Sequence, residues 1–309
     1  MVCQIIKRLA GFIVVLLLVA VVIFFVLRVL PGDPVTLMMM GSDAYASPEQ
    51  IEMIRKEMAL DQPILVQFYS FITNALHGDL GTSIRFKTPV MDLVLEASKN
   101  TIKLSILGLL VACIVGFPLG LLGAVYENTW VDTFSMVGSL VWISMPLFWL
   151  GQGLILIVSI KLKWLPAISG DTKLGIILPA VALGLTGAGN AARLFRTSLL
   201  ESLREDYIRT ARSKGLKEWF VLVRHAIPNS LIPVVTFMGL RFGYMLADSV
   251  LVETVFSRPG LGKLVVNSIE WKDYPLIQGS VLTIAVFFGV SNMLVDILCV
   301  ALDPRRRNG

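Results

Sequence analysis

Six long apolar runs alternate with polar stretches along the chain, near 9–30, 101–125, 132–160, 174–195, 230–254 and 275–301. A helix needs roughly 20 apolar residues to cross the hydrocarbon core of a bilayer. The pattern therefore predicts an all-α integral membrane protein with about six transmembrane helices. The third run is long enough to tilt or to contain a break at Pro146. The first run follows Lys7 and Arg8, as the core of a signal peptide would. It is too long for that role and has no small-residue cleavage site before Pro31, so a retained span is expected.

Between the first two runs, residues 31–100 are polar enough to lie outside the membrane. Ser47-Pro48-Glu49-Gln50 reads as a helix start, with Ser47 as N-cap, Pro48 in the first position and Gln50 reaching back. Ile51, Ile54 and Met58 follow at helical spacing. A second helix is expected to open at Pro63, carry Leu65, Phe68 and Ile72, and stop at Gly78, ahead of the turn-rich GDLGTS. The expected division is a cytoplasmic N-terminus and first span (1–30), a small external helical subdomain laid on the membrane face (31–100), a five-helix core (101–302) with a cytoplasmic loop at 200–229, and a basic tail (303–309).

Composition agrees. Hydrophobic residues make up 55% of the chain and charged residues 16%, against about a quarter charged in soluble domains. A net charge of +5 could mean nucleic acid, but the basic residues sit at the ends of the apolar runs. Lys7 and Arg8, the eight cations from Arg193 to Arg224, and Arg305 to Arg307 all fall on one side if there are six spans. The positive-inside rule makes that side the cytoplasm and places both termini there. Lys161, Lys163 and Lys173 fall outside and oppose the rule weakly. Trp130, Trp164 and Trp271 lie near expected interfaces and read as belt anchors. Cys3, Cys113 and Cys299 include no CxxC, and His77 and His225 are far apart, so neither a disulfide framework nor a metal centre is expected.

The loop at 200–229 carries the densest chemistry. Asp206 suits the cap of a short helix and Gly215 its left-handed end. Tyr207, Ile208 and Ala211 form an apolar stripe, with Arg209, Arg212 and Lys214 elsewhere on the helix. So short a helix is marginal alone and needs a surface to pack on. Pro228 and Pro233 mark the entry to the fifth span, where a missing N–H costs least. Charge alone fits a topogenic signal equally well. The small residues Thr210, Ala211 and Gly215 instead allow close approach of another protein.

This block resembles the cytoplasmic EAA loop of bacterial ABC importer permeases, patterned E-A-A, three residues, G, nine residues, I-x-L-P. Arg209-Thr210-Ala211 stands at the first triplet, Gly215 at the glycine, and His225-Ala226-Ile227-Pro228 at the end. Arg209 and His225 depart from that pattern as in the dipeptide/oligopeptide/nickel branch, which reads DYIRTARAKG. KRLAGFIVV at the start, LPGDP at 30–34, LDQP at 60–63, HGDLGTS at 77–83, SMPLFWLG at 144–151, ILPA at 177–180, VETVFSRPGLG at 252–262, DYPLIQG at 273–279 and DPRRR at the end are similar to the same branch.

The resemblance implies a type I ABC importer transmembrane fold and half of a translocation pathway for peptides or glutathione-like solutes, with nickel or metal–chelator import as the alternative. It implies a sister permease, two ABC ATPase subunits and an extracytoplasmic solute-binding protein as partners. The chain has no GxxxxGK[ST] loop, so ATP and Mg²⁺ are expected on the ATPase subunits and no cofactor on this chain. Tyr207, Arg209, Thr210, Ala211, Arg212, Gly215 and Pro228 are then the expected ATPase-coupling residues. Pro259, Gly260 and Gly262 suit contact with the binding protein.

Charges inside spans default to functional hypotheses. Arg241 and Asp248 lie seven residues apart on nearly the same face of the fifth span. The branch resembled is uncharged at both places. They read either as a pathway dipole for a zwitterionic solute or as a structural pair, bridged by water or by a sister-subunit residue because the direct reach is long. Glu253 reads as an external gate or as a satisfied interfacial carboxylate. Two other classes remain open on residues alone. A membrane enzyme would use His77, Asp79 and Glu96, but no base–nucleophile pairing is visible. A secondary carrier would favour an inverted repeat.

Overall fold

The computed structural model describes residues 2–29, 52, 61–168, 170 and 174–302, with side chains from Arg8 to Val295 in the terminal helices. The helix expected after Ser47, with Ile51, Ile54 and Met58, lies outside the described residues. So do the LPGDP motif, Lys173, the Arg305–Arg307 tail, and the side chains of Lys7, Cys3 and Cys299. Among the described residues the regular structure is helical, beside one isolated bridge between Thr82 and Pro89.

In chain order the helices are α1 (Val2–Val29), α2 (Ile64–Leu76), α3 (Val90–Val125), α4 (Trp130–Ser144), α5 (Leu147–Leu154), α6 (Ile177–Arg204), α7 (Asp206–Ser213), α8 (Glu218–Val221), α9 (Ile227–Val255), α10 (Leu261–Glu270) and α11 (Tyr274–Leu302). π-Helical turns continue α5 over Ile155–Lys161 and lead into α9 over Leu222–Ala226.

Among the described residues, four helical stretches are long and apolar enough to cross a membrane: Arg8–Val29, Val90–Val125, Glu218–Val255 and Tyr274–Val295. The third apolar run is a broken pair, α4 and α5, bent by 107°. Met145 and Pro146 are both extended at the break, as expected for a residue held out of the helical region by a following proline. The predicted break at Pro146 is therefore present, and it is sharp.

The fourth run does form a helix, α6, but it is not among the strongly apolar spans. Its apolar run, GLTGAGNAA, is small rather than greasy, and most of it is buried. A helix enclosed by other helices needs close packing rather than lipid-compatible side chains. The second run also starts earlier than expected, at Val90 rather than near 101. At 36 residues and 1.5 Å per residue, α3 is about 54 Å long, well beyond the ~30 Å core.

Two compact units divide the chain, Met1–Thr101 with Pro259–Gly289, and Ile102–Arg258 with Val290–Gly309. In the first, Val90 and Val94 of α3 form a small core with Leu261 and Leu276. Asp273 is buried and accepts bonds from the Ser83 hydroxyl (2.6 Å), the Arg85 N–H (3.2 Å) and the Leu276 N–H (3.2 Å). One carboxylate thus caps α11 and pins the GDLGTS loop. The expected helix after Pro63 is present as α2, with Pro63 at its N-cap and Gly78 left-handed at φ +81°.

In the second unit α6 is the central helix, flanked by α3, α4, α5 and α9. A Cβ on Gly184 would lie 2.6 Å from the Gly108 carbonyl oxygen, one on Gly120 2.6 Å from that of Ala192, and one on Gly116 2.8 Å from that of Ala188. Two parallel small-residue rows let the α3 and α6 backbones nearly touch, as in small-xxx-small membrane packing.

Candidate functional site

α6 ends at Arg204, and the chain turns through extended Glu205 into α7. Asp206, expected as the cap, is instead the first helical residue, while Glu205 holds the capping position. Its carboxylate still stands at the positive end of the helix dipole. The far end is as read: Gly215 has φ +78° and its N–H bonds the Arg212 carbonyl at 2.9 Å.

The expected stripe on α7 splits in two. Ile208 and Ala211 are buried in this chain's own core beside Val221 and Ala226. Ala211 therefore faces inward and presents little to any partner. Tyr207 is half-exposed, but its hydroxyl is tied at 2.6 Å to Ser202 Oγ and accepts from Asn229 Nδ2 at 3.2 Å. The hydroxyl of Ser202 also reaches the Ala226 carbonyl at 3.2 Å. α7 is thus fastened at once to the end of α6 and the start of α9.

The outward face carries Arg209, Thr210, Arg212, Lys214 and Gly215, all exposed, with Pro228 exposed nearby. Arg209 stands 3.6 Å from Asp206, a solvated pair of little energetic weight. Arg212 grips Glu218 through Nε at 3.1 Å and a second, shorter contact through Nη2. That hydrogen bond raises the Arg212 guanidinium above its ordinary value. Beside this face, sequence reasoning missed an apolar patch: Trp219 is 71% exposed, with Phe220, Leu216 and Val223 around it. An aromatic pair inside a basic loop was the available signal, since bulky apolar groups left in water at a loop mark interaction surfaces.

A second missed feature braces the same region. Asp132 of α4 accepts Arg196 Nε and Nη2 of α6, both at 2.6 Å, and the Asn128 N–H at 3.1 Å. Arg204 adds a contact to Glu127 at 3.0 Å. Arg196 had read only as part of a positive cluster. A bidentate guanidinium–carboxylate pair fixes orientation as well as distance.

Arg241 and Asp248 on α9 meet directly at 2.9 Å, and Arg241 Nη2 donates to Thr186 Oγ1 of α6 at 2.9 Å. No bridging water or sister-subunit residue is needed, because a long guanidinium arm spans two helical turns. The pair is partly solvated, with Asp248 the more open member. Glu253 is fully buried, as is Arg258, whose N–H bonds the Glu253 carbonyl at 2.8 Å and whose Nη1 reaches the Gly170 carbonyl at 3.3 Å. Glu253 is therefore a carboxylate enclosed by its own unit.

Pro259 and Gly260 line a cleft of about 230 Å³ with Phe86, Trp271, Glu96 and Lys263. Gly262 is buried. Trp271, expected as a belt anchor, is edge-on to Phe86 at 5.4 Å with the Arg85 guanidinium 4.4 Å above its ring. His77 and Asp79 serve local turns: the imidazole Nδ1 contacts the Thr73 carbonyl and Asp79 accepts the Gly81 N–H.

Residues 116–308 match the family described as binding-protein-dependent transport system inner membrane component, and residues 1–105 match its N-terminal companion. The chain is similar to the glutathione transport system permease protein GsiC of Pectobacterium atrosepticum, 44% identical over 98% of each chain. It is also similar to GsiC of Escherichia coli strain K12, 42% identical over 98% of each. Among solved structures it is similar to the inward-facing MetNI methionine ABC transporter, with TM-score 0.59 and 17% identity over 69% of this chain and 97% of that one. An amino acid ABC transporter with histidines gives 0.54 and 18%, over 69% and 94%. At such identities these two show the fold alone.

Proposed function

Because the chain belongs to the family of binding-protein-dependent transport system inner membrane components, we propose that it forms one half of the path by which an importer takes up peptides of the size of glutathione. It is a multi-pass permease subunit of an ABC importer, working with ATPase and membrane partners. The peptide or glutathione cargo follows from relatives that match nearly end to end and bear that name. A sister permease completes the path, two ATPase subunits bind ATP and Mg²⁺, and an extracytoplasmic binding protein delivers the solute. The basic loop at 200–229 and both termini face the cytoplasm, and the polar stretch after the first span faces outward.

The observation that carries the mechanism is α7: fixed on one side, open on the other. Its inner side is locked to α6 and α9 through Tyr207, Ser202, Ile208 and Ala211. The outer side, with Arg209, Thr210, Arg212, Gly215 and Pro228, offers a short rigid ridge to a groove on the ATPase. Trp219 and Phe220 add the apolar area that a stable contact needs. A push on that ridge moves α6 and α9 together, and the Asp132–Arg196 brace carries it to α4. Such packed elements respond as levers with discrete positions.

Arg241 and Asp248 are read as part of the pathway wall, presenting opposite charges to a zwitterionic peptide, with Glu253 as an interior support near the outer end of α9. Pro259, Gly260 and the cleft beside them receive the binding protein. Reconstitution of the complete importer in vesicles tests the whole. ATP-dependent uptake of glutathione or short peptides is expected, with Asp248→Asn lowering uptake while the complex still assembles. Absence of uptake for any peptide with all components present overturns the cargo assignment. Unchanged uptake in Asp248→Asn removes that pair from the pathway.

A further inference from the structure

Helix α2 has three faces. Phe68 and Phe71 turn toward α1, where Phe24 meets Phe68 edge-on at 5.2 Å and stacks on Phe71 at 5.8 Å. Gln67, Ser70 and Asn74 form a polar strip. Leu65, Tyr69, Ile72 and Leu76, at i, i+4, i+7 and i+11, form an apolar strip next to the Phe68 face. That strip is largely uncovered: Leu65 is 70% exposed, Tyr69 71% and Leu76 80%. Three large apolar groups in a row would not stay in water.

The neighbouring surface says what covers them. α1 is the least buried of the four long apolar stretches, with only 11% of its apolar window buried inside the protein. Val22, Val26 and Val29 near its end are exposed. Arg28 marks the depth. Its guanidinium lies 3.4 Å from the centroid of the Phe24 ring and donates to Gln67 Oε1 at 3.0 and 2.8 Å. An arginine at the end of a span places its charge at head-group level, and so the polar strip of α2 sits there too. The 13 residues of α2 span about 20 Å, too short to cross the ~30 Å core.

We propose that α2 is an in-plane interfacial helix, with its Leu65–Tyr69–Leu76 strip buried in the lipid where acyl chains meet head groups and its Gln67–Asn74 strip turned to water. The bilayer is the occupant because α2 is clamped to the end of a membrane-crossing helix at the depth that Arg28 marks. Such helices sit about 5–10 Å into the boundary, and a tyrosine with its hydroxyl at head-group level suits that depth. Clamped through Arg28 and the phenylalanine cluster, α2 fixes how deep α1 stands in the membrane. That the leaflet is the outer one rests on the orientation proposed above.

The test uses the complete importer in discs of phosphatidylethanolamine and phosphatidylglycerol. Single cysteines replace residues 65, 69, 72, 76, 70 and 74 in turn, in a chain whose native cysteines are serine, and each carries a spin label. Labels at 65, 69, 72 and 76 should collide more with oxygen than with a water-soluble nickel chelate, and labels at 70 and 74 should show the reverse. Nickel collisions dominating along the apolar strip overturn the proposal. So do low collision rates with both reagents, which would mean burial under a sister subunit or under residues 30–60. If labelled chains fail to assemble, Tyr69→Trp replaces them: quenching of the added fluorescence by brominated phospholipid is expected, and none overturns the proposal. A membrane-impermeant thiol reagent added to one side of vesicles reads the leaflet separately, so wrong orientation and wrong depth are told apart.

Discussion

Removing the Asp132 carboxylate should loosen the proposed lever without touching the exposed face of α7. In Asp132→Ala, Arg196 loses two bonds of 2.6 Å and the Asn128 N–H loses its acceptor. Breaking one side of a buried ion pair costs about 3–5 kcal/mol because the other charge is left uncompensated. Asp132 is 8% exposed, but Arg196 is 23% exposed and can recruit some water. Screening then brings the expected cost to roughly 2–3 kcal/mol. At about 2–4 °C per kcal/mol for a unit of this size, the unfolding midpoint should fall by roughly 5–10 °C. The assay is thermal unfolding of the detergent-purified importer, read alongside ATP hydrolysis and uptake in vesicles. Hydrolysis should persist while uptake falls. Asp132→Ala with Arg196→Ala should recover part of the lost midpoint, since the stranded cation is gone. Strict additivity of the two single losses, or an unchanged midpoint in Asp132→Ala, would refute the brace.

Gly184→Val should prevent assembly, because even a Cβ would lie 2.6 Å from the Gly108 carbonyl oxygen; normal yield on size-exclusion would contradict the close α3–α6 packing. Gly215→Ala should cost about 1 kcal/mol, from the left-handed backbone alone, since nothing lies within 4 Å of the new methyl; thermal unfolding checks it. Tyr207→Phe loses its hydroxyl contacts to Ser202 and Asn229. It should lower the midpoint by the equivalent of about 1 kcal/mol, with ATPase binding intact in a pull-down.

Much of the fold was legible as apolar runs, because a lipid-facing helix must be greasy along its length. α6 was legible as an apolar run too, though its residues are small, as suits a helix wrapped by others. Pro146 announced its break and Gly215 its stop, each through backbone restrictions that act locally. Ile208 and Ala211 were placed in the right helix, but which face meets this chain and which meets a partner depends on where α6 and α9 arrive. The Asp132–Arg196 pair was hidden because it joins residues 64 positions apart. Arg241 and Asp248 shared a face by spacing, but their 2.9 Å contact depended on the reach of the guanidinium, which periodicity does not reveal.

A cysteine at Thr210 or Trp219, paired with cysteines along the groove of the ATPase subunit, reads whether force enters through α7. Cross-links should form in native membranes, and their efficiency should change when ATP is bound and again when it is hydrolysed. Efficient cross-linking of the ATPase elsewhere on the chain, with none at residues 207–219, would contradict the account.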